Sequence, residues 1–274
     1  MNAGELVRRL DQASLGRTFL GIAALLFGIS SFLQGDFTIM GQPVPQSSSL
    51  RHAIAYVMAG LLIVGGVGLL KSGVVRLAAK TLMVVFGIYT LSYLKVLVGP
   101  PPQVYAFMGL AEQLSVLVGA WAALLILHDK RAFGPRVARI VFGICSLLFA
   151  LAHFVGRALM ANAVPVWMPG GQIFWALATG VGHLAVGLAL ISNLAAVSAT
   201  RVGALMYTCF VLLAWLPDAF SHPAELYRWA GAAFSLCMAG ALWLVGDLII
   251  TRRSAAAIEG KRASVAPFST AVPG

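Results

Sequence analysis

Three ionisable side chains lie within long apolar stretches of the sequence and could take part in chemistry. They are Glu112, His153 and His183. A charged group in such a stretch is costly to bury unless it is paired, so each is a candidate for function. All three fall in the same half of their stretches, at comparable depth. Together they could relay protons, bind a cation or hydrogen-bond the head group of a quinone.

A fourth candidate, Arg157, lies four residues after His153, so on one continuous helix the two would share a face. The sequence therefore predicts a ligand-binding site composed of Glu112, His153, His183 and Arg157. The alternative is structural. A membrane histidine can stay neutral on a backbone carbonyl, and a glutamate can pair with an arginine at the membrane surface.

Asp247 is a further ionisable residue within an apolar stretch, but it lies near the opposite end of the membrane from the other three. Arg252 and Arg253 follow it within two helical turns. We expect Asp247 to pair with one of them and to mark the membrane boundary.

Motifs for other kinds of chemistry do not occur in the sequence. It has no CxxCH, GxxxxGK[ST], GxSxG or HExxH, and no pair of histidines three or four residues apart. Cys145, Cys209 and Cys237 lie singly in apolar stretches, where they fit as small apolar side chains. The sequence predicts no catalytic residue and no metal site, and nothing marks an enzyme acting alone. A quinone is the one cofactor that the candidate residues would suit.

Eight apolar stretches carry these residues. Hydrophobic residues make up 60% of the chain and charged residues 10%, against roughly 25% charged residues in soluble domains. Each stretch is long enough, or nearly so, to span a hydrocarbon core of about 30 Å as a helix. The sequence thus predicts an all-α polytopic membrane protein with eight transmembrane helices. The stretches are approximately 17–34, 53–70, 79–98, 103–127, 137–157, 172–192, 202–217 and 227–250.

The basic residues are distributed unevenly between the two sides of this arrangement. If the N-terminus is cytoplasmic, the outer side has Arg51, Lys95, Arg157 and Arg228, and the other 15 of the 19 Lys and Arg residues lie inside. This bias predicts an inner (cytoplasmic) membrane protein with both termini in the cytoplasm. The net charge of +10 then reflects contact with an anionic lipid surface, and no nucleic-acid partner is expected.

The chain is internally duplicated. RTFLGIAALLFGISSF at 17–32 and RIVFGICSLLFALAHF at 139–154 share seven of 16 positions at an offset of 122. The same offset pairs prolines, glycines and aromatic residues further along. Four helices per copy require two parallel four-helix repeats. The predicted units are a polar lead at 1–16, repeat 1 at 17–127, an inner linker at 128–136, repeat 2 at 137–250 and a disordered basic tail at 251–274.

The candidate site residues are not duplicated. At the offset of 122, His153 corresponds to Ser31, His183 to Leu61 and Glu112 to Phe234. The shared residues are mostly glycines and apolar side chains that define a scaffold. We therefore expect function to reside where the two copies differ.

The repeated pattern resembles the DoxX-like membrane superfamily. The second copy carries it best, in LLFALAHF at 147–154, VPVWMPGG at 164–171, Phe174-Trp175, Gly180, GLA at 187–189 and Arg201. The resemblance covers nearly all of 15–250 and implies four-helix units. It further implies an association with membrane redox systems that are linked to quinones or thiols, and it supplies no catalytic residue.

Three functions remain open on these grounds. The first is an accessory subunit of a membrane redox system that holds a quinone-like ligand and contacts other redox subunits. The second is a transporter or channel for a small substrate. The third is a structural or assembly factor of the membrane. All three have the lipid bilayer as an immediate partner.

Overall fold

The computed structural model describes residues 15–38, 43–97, 104–128 and 133–265, and within these ranges the only regular structure is helical. Eight of the helices are long and apolar enough to cross a membrane, as the sequence predicted. Lipid offers no partners for backbone groups, so apolar spans satisfy them internally as helices. The eight spans are α1 Leu15–Gln34, α2 Arg51–Leu70, α3 Val75–Tyr93, α4 Val104–His128, α5 Phe133–Val155, α6 Gln172–Ser192, α7 Ala196–Ser221 and α8 Leu226–Val265.

Several helices begin or end away from their predicted limits. α7 begins at Ala196, six residues before the predicted apolar stretch, and α8 continues to Val265. The segment 251–265 therefore extends α8, where the sequence predicted the start of a disordered tail. It is rich in Ala, Arg, Lys and Glu, which are strong helix formers, and it propagates an existing helix. Most of the predicted polar lead (1–14), much of the linker (129–132) and the end of the tail (266–274) lie outside the described residues.

α8 is the central helix of the bundle. Within its apolar window 78% of the residues are buried, against 33% in α6 and in α7. α1, α4 and α7 all pack on α8, while α1 also packs on α2, α4 on α3 and α5, and α5 on α6. The face of α8 toward its neighbours is made of small and medium side chains, including Ala239, Ala241, Leu242 and Leu248.

Glycines allow the closest of these helix contacts. A Cβ added at Gly66 in α2 would lie 2.7 Å from the carbonyl oxygen of Gly21 in α1. A Cβ added at Gly187 in α6 would lie 2.9 Å from the carbonyl oxygen of Gly143 in α5. Side chains larger than hydrogen would force these helix pairs apart, so the glycines set their spacing.

The connection between α1 and α2 is fixed by an ion pair over a buried aromatic ring. Arg51, only 4% exposed, donates from Nε to Asp36 Oδ2 at 2.9 Å and from Nη1 to the Val44 carbonyl at 2.6 Å. Its guanidinium lies 5.4 Å from the ring centre of Phe37, which in turn packs edge-on against Tyr89. This connection therefore inserts an aromatic side chain into the first half of the bundle.

Replacing Asp36 with asparagine is expected to lower stability by about 1–3 kcal/mol at neutral pH, because it removes the carboxylate bound by a buried guanidinium. Burial acts to raise the pKa of Asp36, but the hydrogen bonds from Arg51 and the Phe37 amide and the charge of Arg51 outweigh it and lower the pKa. A depressed pKa stabilises the folded state above the unfolded-chain pKa of about 3.9, and this stabilisation is lost as the pH falls below that value.

The measurement is the melting temperature of the detergent-solubilised protein from pH 8 to pH 3. The difference between wild type and D36N should be constant down to about pH 5 and should shrink below about pH 4. The exposed Ser47 in the same connection supplies the control S47A, which should melt with the wild type throughout. An unchanged D36N difference at pH 3 would contradict the role of the ionised carboxylate.

Candidate functional site

A cavity of about 200 Å³ lies between α4, α5, α6, α7 and α8, and three of the four predicted site residues line it. Its polar side chains are Glu112, His153, Thr179, His183, Tyr207 and Ser235. Its apolar wall includes Met108, Phe149, Met160, Phe210, Trp215 and Phe234. The structure thus brings Glu112, His153 and His183 together, with Glu112 contributed by the first half of the chain and the histidines by the second.

His153 is anchored to α6 through its ring. A Cβ at Gly180 would lie 2.9 Å from that of His153, so the glycine lets α5 and α6 approach closely here. His153 Nδ1 lies 2.8 Å from the Ala176 carbonyl oxygen and 3.1 Å from Thr179 Oγ1. A carbonyl only accepts, so this contact assigns the proton to Nδ1 and leaves Nε2 of the neutral ring as an acceptor. Nδ1 of His153 therefore donates to a backbone carbonyl, as the structural alternative in the sequence analysis expected for a neutral membrane histidine.

His183 is surrounded by aromatic rings. It is 3% exposed, and its ring centre lies 5.4 Å from that of Phe149, 5.2 Å from that of His153 and 5.4 Å from that of Tyr207. Within the described part of the chain, neither ring nitrogen of His183 has a hydrogen-bond partner. His183 is also one of the residues that line the cavity.

Glu112 and Tyr207 also line the cavity without a hydrogen-bond partner among the described residues. Glu112 projects from α4 and Tyr207 from α7 into the same cavity, and no residue in the described ranges hydrogen-bonds to either side chain. Polar side chains inside proteins are usually hydrogen-bonded to protein or to water. In the described ranges three side chains without a protein partner, Glu112, His183 and Tyr207, line one cavity, and Glu112 is half-buried. Water or a bound molecule is the partner that such an arrangement accommodates.

Arg157 does not belong to this group. α5 ends at Val155, and Arg157 begins a separate short helix, Arg157–Ala161, after Gly156. The expected shared helical face with His153 is therefore absent, because the chain turns between them. Arg157 is exposed and is not part of the cavity wall, where the short helix contributes Met160 instead.

Thr179 and Tyr207 line the cavity but were not among the predicted site residues. Thr179 lies four residues before His183, so the two share a face of α6, and that spacing could have indicated it. Tyr207 is a single polar aromatic residue in an apolar stretch, and the sequence does not reveal which way it faces. Both become site residues only through the rotation of their helices in the bundle.

A π-helical turn interrupts α7 at Val211–Trp215, next to the cavity. Two of its residues, Ala214 and Trp215, lie in the cavity wall. A single π turn in an α-helix redirects the side chains around it and is frequent at functional sites. The helix is thus irregular only where it borders the cavity.

A second depression, of about 460 Å³, opens at the end of the bundle nearest this cavity. The two spaces share Ala163, Val164, Ala214 and Trp215, so these side chains form the wall between them. At its rim Arg228 bonds to Asp218 and, at 2.9 Å, to Glu225. Hydrogen bonds from Tyr227 and then Arg228 hold the pKa of the exposed Glu225 below its ordinary value.

Asp247 lies away from the cavity, as expected, about three helical turns along α8 from the cavity residue Ser235. An ion pair joins it to Arg201 of α7, whose guanidinium also stacks 4.0 Å from the ring centre of Trp243. This pair fastens α7 to α8. Arg201 was not among the predicted partners, which were Arg252 and Arg253.

The chemistry of the cavity is that of hydrogen bonding within an apolar enclosure. In the described ranges no three His, Cys, Asp or Glu side chains are grouped so as to hold a metal ion. An imidazole, a carboxyl group and a phenol can instead donate and accept hydrogen bonds around one small polar group. Comparisons with protein-family models, with curated proteins and with solved structures find no match for this chain.

Proposed function

We propose that the protein is a membrane-embedded binding subunit that holds the polar head of a lipophilic, quinone-like molecule, as an accessory part of a membrane redox system. The observation that carries this proposal is that three polar side chains with no hydrogen-bond partner among the described residues line one apolar-walled cavity. Glu112, His183 and Tyr207 are these side chains. A site of this kind binds a molecule that offers hydrogen-bonding groups on an apolar frame.

The size and lining of the cavity favour a ring-sized head group. A volume of 200 Å³ corresponds to about seven water molecules at roughly 30 Å³ each, which suits a single substituted ring. A quinone has two carbonyl oxygens that accept hydrogen bonds, and His183 and Tyr207 can donate them. Phe149, Phe210 and Met108 supply the apolar faces.

A duplicated architecture is part of this proposal, with two parallel four-helix repeats. Equivalent contacts support it: Gly109 packs against the ring of Tyr93, and Gly231 against that of Trp215, and both pairs are related by the offset of 122. We infer on the same grounds, and on the residues of the second copy given above, that the units are DoxX-like.

The register of the repeat changes between the first and second helix of each copy. Gly21 of α1 contacts Gly66 of α2, and its counterpart Gly143 of α5 contacts Gly187 of α6. Gly66 and Gly187 are 121 residues apart, so the offset between α2 and α6 is 121. The connection in the second copy is therefore one residue shorter. The counterpart of His183 becomes the fully buried Leu62, where a constant offset of 122 would give Leu61.

The difference between the two copies supports a single ligand site. In the first half Phe37, 2% exposed, descends from the α1–α2 connection and packs on Tyr89. In the second half the α5–α6 connection contributes Met160 and Ala163 to the cavity wall. One copy is thus filled by its own loop, and the other keeps a space.

We place the protein in the inner membrane with both termini in the cytoplasm, on the bias of its basic residues. The cavity then lies in the outer half of the membrane, and the depression beside it opens outward. That depression supports entry of the ligand from the outer surface past Val164 and Trp215.

Transport of a small substrate is the second candidate, and the shared wall between depression and cavity favours it. A continuous path would have to pass the layer of α5, α6 and α8 beneath the cavity. Phe142, Leu190, Met238 and Leu242 fill that layer, and each is at most 1% exposed. This packing favours retention of a ligand over its passage. An assembly role without a ligand is the third candidate.

The test is to purify the full chain in mild detergent from a quinone-producing host and to analyse an organic extract by mass spectrometry. We expect a quinone to co-purify in an amount approaching one per chain, well above its content in an unrelated eight-helix protein prepared alongside. A quinone content equal to that background contradicts the proposal. Uptake of a labelled small substrate into proteoliposomes would instead support transport.

A further inference from the structure

We propose that a second site, at the opposite end of the bundle from the cavity, binds the phosphate head group of an anionic phospholipid. The site is a pocket of about 430 Å³ between α5, α6 and α8. Its wall contains Arg136, Arg139, Arg252 and Arg253, and a single carboxylate, Glu259. This inference is independent of the proposed function.

The pocket is assembled from helix ends. Arg136 and Arg139 are three residues apart near the start of α5, so they share a face. α6 is capped by Asn193, which adopts a left-handed conformation with φ 63°, and its last carbonyls meet this pocket. The residues after Ile249 on α8 complete the wall.

Two of the arginines are held in place by the end of α6. Arg139 Nη1 donates to the Leu190 carbonyl and, at 3.2 Å, to that of Ile191. Arg253 Nη2 donates to the side-chain oxygen of Asn193 at 3.3 Å. A guanidinium carries five N–H donors, so each keeps donors for a ligand after these contacts. The positions of these two guanidinium groups are therefore set by the protein before any anion binds.

The net positive charge of the pocket favours binding of an anion. Four arginines and one glutamate give a formal excess of three positive charges in one small space. Arginine forks match the oxygens of a phosphate group in geometry as well as in charge. A phosphate would offset the mutual repulsion of the guanidinium groups.

The depth of the pocket selects a lipid over a soluble phosphate. It lies where the apolar run of α8 gives way to Arg252 and Arg253, which is the level of lipid head groups. Phe133 and Leu194, 77% and 73% exposed, flank it in the chain and offer apolar surface to acyl chains. A phosphodiester with attached acyl chains satisfies both features.

The experiment measures thermal stabilisation of the full chain in neutral detergent by added phosphatidylglycerol, phosphatidylcholine or inorganic phosphate. The double variant R136Q/R253Q removes two charges from the pocket. The control R76Q/K80Q removes two charges at exposed positions of α3. We expect phosphatidylglycerol alone to stabilise the wild type and the control. In R136Q/R253Q its half-effective concentration should rise about 30-fold, from about 1 kcal/mol of attraction per basic residue.

A third variant, R136K/R253K, keeps the charge and should retain most of the stabilisation, which separates ligand binding from damage to the fold. Equal loss of the effect in R136Q/R253Q and in R76Q/K80Q would overturn the site in favour of diffuse charge. Stabilisation by inorganic phosphate as strong as that by phosphatidylglycerol would overturn the lipid assignment. No stabilisation of the wild type by any of the three would overturn the proposal as a whole.

Discussion

Replacing His183 with phenylalanine is expected to weaken binding of a short-chain quinone about tenfold to a hundredfold while leaving the protein folded. His183 is 3% exposed and packs against three rings, so another aromatic ring fits the same space. The substitution removes the two ring nitrogens and keeps an aromatic ring in the cavity wall. Loss of a buried hydrogen-bond partner costs about 1–3 kcal/mol, which gives this change in affinity.

The measurement is a titration in detergent that follows the quenching of tryptophan fluorescence, because Trp215 lies in the cavity wall. A second test and its control use two buried tyrosines, Tyr207 of α7 in the cavity wall and Tyr89 of α3 away from it, which are 7% and 1% exposed. Y207F should weaken binding several-fold, while Y89F should bind as the wild type does. Wild-type affinity in H183F, or equal effects of Y207F and Y89F, would remove the cavity from consideration as the binding site.

Replacing Gly240 with valine is expected to destabilise the bundle strongly. A Cβ at this position would lie 2.7 Å from the backbone nitrogen of Leu20 and 2.8 Å from the carbonyl oxygen of Gly16. Both contacts are with backbone, so α1 would have to move away from α8 to make room. Overpacking of this kind costs about 3 kcal/mol or more, which is a fall in melting temperature of roughly 10 °C.

The melting temperature is read from the fraction of monodisperse protein that survives heating in detergent. The same substitution at Gly87 in α3 is the control, because an added Cβ there meets no atom within 4 Å. G87V should melt within a few degrees of the wild type. If G240V does so as well, the contact between α1 and α8 does not hold the first half of the chain to the second.

The sequence predicted those features that follow from the chemistry of single residues in lipid. The eight helices follow from runs of apolar residues, and the choice of Glu112, His153 and His183 follows from the cost of placing a titratable group among them. Their meeting at one cavity depends on how the helices rotate and pack. A list of apolar positions does not contain that information.

The differences have equally physical causes. The prediction that Arg157 shares a helical face with His153 assumed an unbroken helix. The helix ends at Val155, and the chain turns at Gly156 before Arg157. The π turn at Val211–Trp215 comes just before Pro217, which has no N–H to donate to the Leu213 carbonyl and whose ring crowds that carbonyl, a signal that the prediction of α7 left out. The start of α7 was predicted six residues too late, because the residues from Ala196 to Arg201 are helical but only weakly apolar.

Lipid acyl chains surround a protein of this kind, and the polar groups that line the cavity affect whether such a chain can enter it. An acyl chain that entered would displace water from Glu112, His183 and Tyr207 and return no hydrogen bond, at a cost of about 1–3 kcal/mol for each group. A ligand with a polar head avoids that cost. The three side chains that we propose to bind a ligand would therefore also disfavour the entry of acyl chains into the cavity.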